Sequence, residues 1–553
     1  MAGAYIAWRL GTATLQELDP GFARVPNETS LYELLKERSG RLRIHLYEQS
    51  DRIGGRLHSL RVRGMPDVRA ELGGMRYHST HQMVAGLVKQ LGLVPKPFPT
   101  GDKNNLFYLR RHRLRSKDLL NANSALYRLA PHERAKAPAD LILHAIERII
   151  GDARRFSGET ETVWKRRWER LRREAQLENK RLYELGFWDV LANLLSSEGY
   201  QFVLDAGGYS PFRKNWNAAE AIYWFLADFL AEETEEALGY QTLEKGFDRL
   251  PQTLAENFKN FPNAHIFLRH KLVSFKQDPL NPRVIKLYFE DLEHHHTVQV
   301  NAYHLILAMP QRALKLLDQR NNFFDSEQLQ RDLDSVIAEP AMKLFLAYKT
   351  PWWHALKIHS GSSITDLPIR QTYYFGAQSE ASPTEKDNSN SLLLAVYNYG
   401  DIRGVWGKFF EKSNSPAQGL FEIDKTVEPG YPDRLERDHL PTRALVQAVQ
   451  AQLKEVHGLA SDVPEPYTAL VQDWGKDPYG GAWHLWKTGA KSFEIIPRIR
   501  HPYPHRNVYI CGEAYSTEHA WVEGALISAE NVLEKILGLK RPNWLSDDYY
   551  LGP

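Results

Sequence analysis

Strand–turn–helix signals stand near both ends of this chain with unlike material between them, and that arrangement narrows the fold more than any other feature. "RLRIHLYEQSDRIGGRL" places Leu42, Ile44 and Leu46 at period two, then stops at Glu48 and meets a double glycine. The pattern reads as a strand ending in a turn. Near the other end, "RNVYICGEAYSTEHAWVEGALISAENVLEKIL" reads as a strand, a loop and a helix. The chain opens on a small-residue helix, "MAGAYIAWRLGTAT", in which Gly3, Ala4, Ile6, Ala7 and Leu10 suit close packing on a sheet. Units of this kind, far apart in sequence, predict one α/β nucleotide-binding domain assembled from distant segments.

The intervening material divides by pattern. From about Leu106 to Leu238 it is helical and heavily charged, and Trp164, Trp168, Leu171 and Ala175 form one apolar stripe, which predicts a packing helix with a solvated face. After Leu243 strands return, with His294–His296 near a hairpin tip. Adjacent side chains on an extended strand alternate faces, so these histidines predict a solvated turn rather than a metal centre, and no metal is expected. Between about Lys343 and Trp486 the chain is strand-rich with long polar loops. A length of 553 residues predicts two or three domains. A net charge of +2 gives no bulk electrostatic drive toward nucleic acid or a membrane. The best apolar run, "AIYWFLADFLA", contains Asp228 and falls short of the roughly 20 apolar residues of a membrane span. No basic region followed by an apolar core opens the chain, so a cytoplasmic location is expected. Cys511 is the one cysteine, which excludes an intrachain disulfide.

Glu48 at a strand end can accept the hydroxyls of an adenosine ribose. Gly54 and Gly55 would let backbone amides approach a pyrophosphate, and Arg56 would add charge-assisted hydrogen bonds. A structural turn explains such a glycine pair equally well on its own.

Four ordered stretches change that balance. "EQSDRIGGRL", "AELGGMRY", "HLILAMPQRAL" and "VYICGEAYSTEHAWVEGALISAE" together resemble the flavin-containing amine oxidase superfamily, and within it most closely the bacterial L-amino acid oxidases. The resemblance implies an α/β fold with a discontinuous, Rossmann-like FAD-binding domain of the GR2 type, a mixed-sheet substrate domain and a helical subdomain. The implied divisions are FAD-binding at 1–76, 239–315 and 491–553, substrate-binding at 77–112 and 316–490, and helical at 113–238. It also implies noncovalent FAD, since Cys511 lies in a strand before "GEA". Glu48 and Arg56 would meet the ribose and pyrophosphate, and Val273 would offer its backbone to adenine. Glu513 would meet the ribityl or phosphate side. Gly54, Gly55, Gly73, Gly74, Met75, Gly512, Trp521 and Val522 would complete the cofactor site.

For the substrate, the resemblance implies that Arg76 grips an α-carboxylate with two hydrogen bonds, an interaction its planar guanidinium suits. Tyr397 would share that carboxylate, and Lys343 would hold a water beside the flavin. Trp521 would wall the substrate, and Ala520 stands where many relatives have glycine. The segment "GGYSPFRKNWNAAEAIYWFLADFLAEETEEALGYQTLEKGFDRLP" would roof the pocket. Within it, Asp228 in an apolar helix suggests a basic substrate, lysine or arginine. The expected reaction is FAD-mediated hydride transfer from Cα, giving a 2-oxo acid, ammonia and hydrogen peroxide, with O2 as oxidant and a homodimer left open. The alternatives are an L-amino acid 2-monooxygenase, a monoamine or polyamine oxidase, and a flavin-free remnant acting as a scaffold.

Against the family pattern Gly3 takes the place of the last glycine of G-x-G-x-x-G, so the first strand and two earlier glycines are missing, and the natural start is expected upstream. From Gly3 to Glu48 is 45 positions (48 minus 3), where about 20 is usual, which predicts an insertion around "QELDPGFARVPNETS".

Overall fold

The computed structural model describes residues 1–553 except 21–29, 38–39, 157–158, 160, 209–213, 233–238 and 411–418. The expected insertion and parts of the expected roof therefore lie outside the described residues.

Helix α1 (Ala2–Thr12) is buried on most of its circumference, through Ala2, Ala4, Tyr5, Ile6, Ala7, Arg9 and Leu10, as a small-residue helix must be to pack closely. Gly3 marks the nearest approach: a Cβ there would sit 3.4 Å from the Ala308 Cβ and 3.5 Å from Leu46 Cδ1. Leu46 lies in one strand pair, and Ala308 directly follows a strand of another. Strand β1 (Ile44–Tyr47) runs parallel to Ala264–Phe267, and Leu305–Leu307 runs parallel to Val508–Ile510. Among the described residues the pairs are separate sheets, and α1 lies across both. Beside them, His270–Gln277, Ile285–Asp291 and His296–Ala302 form an antiparallel meander. At its tip Asp291 accepts bonds from the backbone and ring of His294, so the histidines form the solvated turn expected of them.

The helical region includes α2 (Glu161–Glu174), which buries Trp164 and Trp168 as predicted, and α3 (Ala218–Glu232). One boundary differs from the sequence reading. Leu106–Leu109 and His112–Arg115 form a hairpin rather than the start of the helices. Each strand is four residues long, too short for its periodicity to stand out against the charged run that follows.

A seven-stranded sheet carries the rest. Its centre is β2 (Ala341–Tyr348), β3 (Gln371–Ala377) and β4 (Ser391–Tyr399), and β4 pairs with both others. Every residue of β2 is buried, with Leu344 and Leu346 in a cluster on one face and Phe345 and Ala347 in another on the opposite face. The chain then returns to the parallel strands. Cys511 is buried just after Val508–Ile510, and burial pushes its thiol up to about 12. Helix α4 (Val522–Asn531) closes against α1, where Glu530 accepts from Tyr5 and Arg9. Among the described residues no helix is long and apolar enough to cross a membrane.

Candidate functional site

Parallel strands expose their carboxyl ends on one side, and that edge is where α/β sheets bind ligands. Glu48 follows β1 there. Its Oε1 accepts from the Ser50 N–H at 2.8 Å and the Ser50 hydroxyl at 2.9 Å, and Oε2 has no chain partner among the described residues. Gly54 and Gly55 follow at φ +140° and +59°. Arg52 staples their turn by donating to the carbonyls of Leu57 and Gly55. The start of α1 lies within electrostatic reach of Glu48, Arg52, Arg56 and Cys511. A free carboxylate oxygen, a glycine turn, a helix N-terminus and arginine together suit the ribose and diphosphate of FAD.

Glu513 organises the neighbouring edge. Its Oε2 accepts from Arg56 at 2.8 Å and from His484 Nδ1 at 3.0 Å. Its Oε1 accepts the N–H of His484 at 2.8 Å and of Ala520 at 3.0 Å. Burial alone would raise its pKa, but the Arg56 charge and the His484 contacts hold it far below the usual carboxylate range. Four chain donors saturate this carboxylate. Glu513 thereby gathers Arg56, His484 and Ala520 at the edge expected to meet the ribityl or phosphate side of the cofactor. The Gly512 N–H, at φ +132°, donates to Ser528 on α4. Trp521 is the N-cap of α4 and Val522 its first residue.

Val273 lies three residues beyond His270, whose N–H donates to the Glu48 carbonyl at 3.0 Å. It occupies a bulge with an exposed side chain, and its carbonyl is taken by the Asp318 N–H at 2.9 Å.

The loop from Glu71 to Arg76 joins the cofactor edge to the sheet. Gly73 is required there, since a Cβ would fall 2.0 Å from the Arg56 carbonyl oxygen, and the Gly74 N–H donates to the same oxygen. Met75 is buried in the cluster containing Phe345 and Tyr373. From β2, Lys343 reaches this loop and donates to the carbonyls of Glu71 at 2.9 Å and Gly73 at 2.6 Å. Burial pulls its pKa down, and the nearby Arg76 charge adds to that. Burial moves the Glu71 carboxyl up. Lys343 pairs in register with Tyr397 on β4, and its ammonium lies 5.1 Å from that ring's centre.

Arg76 ends the loop in an aromatic enclosure. Its Cζ is 4.6 Å from the centre of the Tyr240 ring, 5.5 Å from Phe98 and 5.7 Å from Tyr373. Nη1 donates to the Tyr373 hydroxyl at 3.3 Å, and that hydroxyl donates to Gln371 at 3.1 Å. No carboxylate among the described residues forms an ion pair with it. Tyr240 also stacks on Trp521, with ring centres 6.0 Å apart and planes at 16°. Trp521 in turn meets His81 edge-on at 4.8 Å.

The structure thus brings Arg76, Lys343, Tyr397, Trp521 and Ala520 into one connected group. Tyr240, Tyr373, Phe98, His81 and His484 belong to it too and escaped sequence reasoning. Tyr240 lies inside the expected roof segment, but no spacing marks an aromatic that arrives through strand pairing, here Tyr240 against His78. Asp228 is half-buried on α3 and has an interaction of its own.

Comparison with known proteins agrees with this geometry. A family model described as flavin containing amine oxidoreductase matches residues 32–412 and 426–537. Achacin of Lissachatina fulica is 28% identical over 521 residues, covering 91% of this chain and 90% of its own. An L-amino-acid oxidase of Crotalus adamanteus is 22% identical over 496 residues, covering 88% and 80%. The structure of putrescine oxidase bound to putrescine superposes with a TM-score of 0.60 at 14% identity, over 91% of this chain and 94% of that one.

Proposed function

This chain belongs to the flavin containing amine oxidoreductase family, and from that premise we propose that its substrate is an L-amino acid, converted to a 2-oxo acid with release of ammonia and hydrogen peroxide. Arg76 carries the reading. A guanidinium walled by Tyr240, Phe98 and Tyr373, with no chain carboxylate paired to it, is a site built for a carboxylate brought from outside. A simple amine has nothing to offer it. The relative from Crotalus adamanteus, named as an L-amino-acid oxidase, supports the same reading.

Bound FAD would supply a two-electron acceptor for the hydride of the Cα–H bond, with dioxygen as the final oxidant. The chain's own residues do the positioning. Arg76 binds the α-carboxylate, and the Tyr373 hydroxyl fixes the plane of the guanidinium. Trp521 and Tyr240, stacked on one another, wall the cleft and exclude water from Cα. The N–H of Ala520 is held by Glu513, and its carbonyl would accept from the substrate amine. Lys343 Nζ spends two of its donors on carbonyls, and the third suits a bound water.

The test is a substrate panel on the FAD-loaded protein. L-amino acids should produce peroxide and bleach the flavin absorbance, while their decarboxylated amines should not. Arg76→Ala should lower kcat/KM by more than about 100-fold, since two charge-assisted hydrogen bonds are worth about 3 kcal/mol or more, with the bound-flavin spectrum unchanged. Faster turnover of the amines, or an indifferent Arg76→Ala, would sink the reading. Carbon dioxide and an amide in place of oxo acid and peroxide would redirect it to oxidative decarboxylation.

A further inference from the structure

At the end of the seven-stranded sheet remote from Lys343, three connections converge. A turn at Trp352–Leu356 follows β2, a loop through His359 leads to Ser362–Thr365, and a short helix, Gln378–Ala381, follows β3. Tyr348 and Ala377, the last residues of β2 and β3, both pair with Ser391 on β4, whereas Lys343 pairs with Tyr397. Five residues of strand separate Lys343 from Tyr348, a span of about 17 Å.

His354, His359 and Glu380 meet there, with one ligand atom from each lying within 4.8 Å of the others. The turn carrying His354 is anchored by the fully buried Trp353, so the imidazole is presented from a fixed base. Its Nε2 is buried and makes no hydrogen bond. That nitrogen lies 3.6 Å from Glu380 Oε1, too far for a hydrogen bond. It is close to the ligand–ligand edge of a tetrahedral zinc site, about 3.4 Å for bonds of 2.0–2.2 Å. The other Glu380 oxygen is held by the Ala377 N–H at 2.8 Å. The two imidazole rings lie 4.5 Å apart, centre to centre. A buried, unused nitrogen costs free energy unless something occupies it.

We propose that His354, His359 and Glu380 bind one divalent metal ion of the zinc class, with water in the fourth position, and that the ion clamps the three connections at this end of the sheet. Two imidazoles and one carboxylate favour zinc, copper, nickel or iron over magnesium or calcium. The exposure of His359 and Glu380 leaves a path for entry. The clamp is remote from Arg76 and Lys343, so its role is structural rather than catalytic.

The experiment uses the full, FAD-loaded chain stripped with chelator, then titrated with ZnCl2 and separately with CoCl2. Expected results are one zinc retained per chain, a raised unfolding temperature, and cobalt absorption of tetrahedral intensity in the difference spectrum. His359→Gln replaces an exposed side chain that makes no hydrogen bond among the described residues. It should fold, keep its flavin spectrum and turnover, and weaken zinc binding at least tenfold. The double variant His354→Gln with His359→Gln should lose the cobalt spectrum. The proposal is overturned if the native chain retains no zinc, if the double variant still binds one equivalent, or if binding is lost instead on removing His294 and His296.

Discussion

Ala520 holds φ at +69° with its N–H on Glu513, in a region where a side chain costs about 1–2 kcal/mol. Such strain persists only where its surroundings enforce it, and here it turns a carbonyl just before Trp521. Ala520→Gly should leave stability within about 1 kcal/mol, since relief of strain is offset by a more flexible unfolded chain. Ala520→Val should cost about 1–3 kcal/mol, because a β-branched residue is a genuine outlier at positive φ. Urea unfolding of the FAD-loaded variants reads both. At this scale the sequence was informative where a residue sits inside a motif. Arg76 follows "GGM" and Glu513 follows "CG", and both could be singled out. The motif shows that a carboxylate is needed at Glu513, but not that His484 and Ala520 would donate to it. Tyr373 was invisible because it reaches Arg76 only through the pairing of β3 with β4.

Helix α2 shows how an element joins the site to the roof. Lys165 is buried on it, and its ammonium lies 3.0 Å from Glu518 Oε1, three residues before Trp521. Tyr223 of α3 donates to the same oxygen. Removing one partner of a buried ion pair strands the other charge, at about 3–5 kcal/mol. Lys165→Met should lose that much in chemical denaturation, and the double variant with Glu518→Gln should recover most of it. No recovery would show that Lys165 acts through packing alone. The tryptophan stripe of α2 was legible from helical periodicity. The function of Lys165 was not, because a lysine among arginines reads as solvated until the loop before α4 folds over it.

Over the whole molecule, buried neutral histidines set the response to acid. Burial holds His457 and His519 at about 4, against an ordinary value of 6.5. Between those values the unfolded chain binds the protons and the folded chain does not, so stability falls as pH drops from 6.5 toward 4. Each contributes about 1.4 kcal/mol per pH unit. Glu513 acts in the same direction by the opposite chemistry. Its depressed pKa adds stability above its ordinary value of 4.5, and that stability disappears on further acidification. The unfolding temperature should therefore decline steadily below pH 6.5, and His457→Gln should flatten the curve. A flat profile between pH 7 and 5 would contradict this. The fold's two ends were readable because a strand, a glycine turn and a helix are local, whereas the order of the seven-stranded sheet is a matter of long-range pairing that no local pattern encodes. A last consequence concerns sulfur. The chain has one cysteine and six methionines, and Cys511, Met65, Met75, Met83 and Met342 are all buried. Attack on a thiol requires thiolate and access, and a group pushed up to about 12 beneath the parallel strands offers neither. An oxidase of the proposed kind, bathed in its own peroxide, would be slow to inactivate itself.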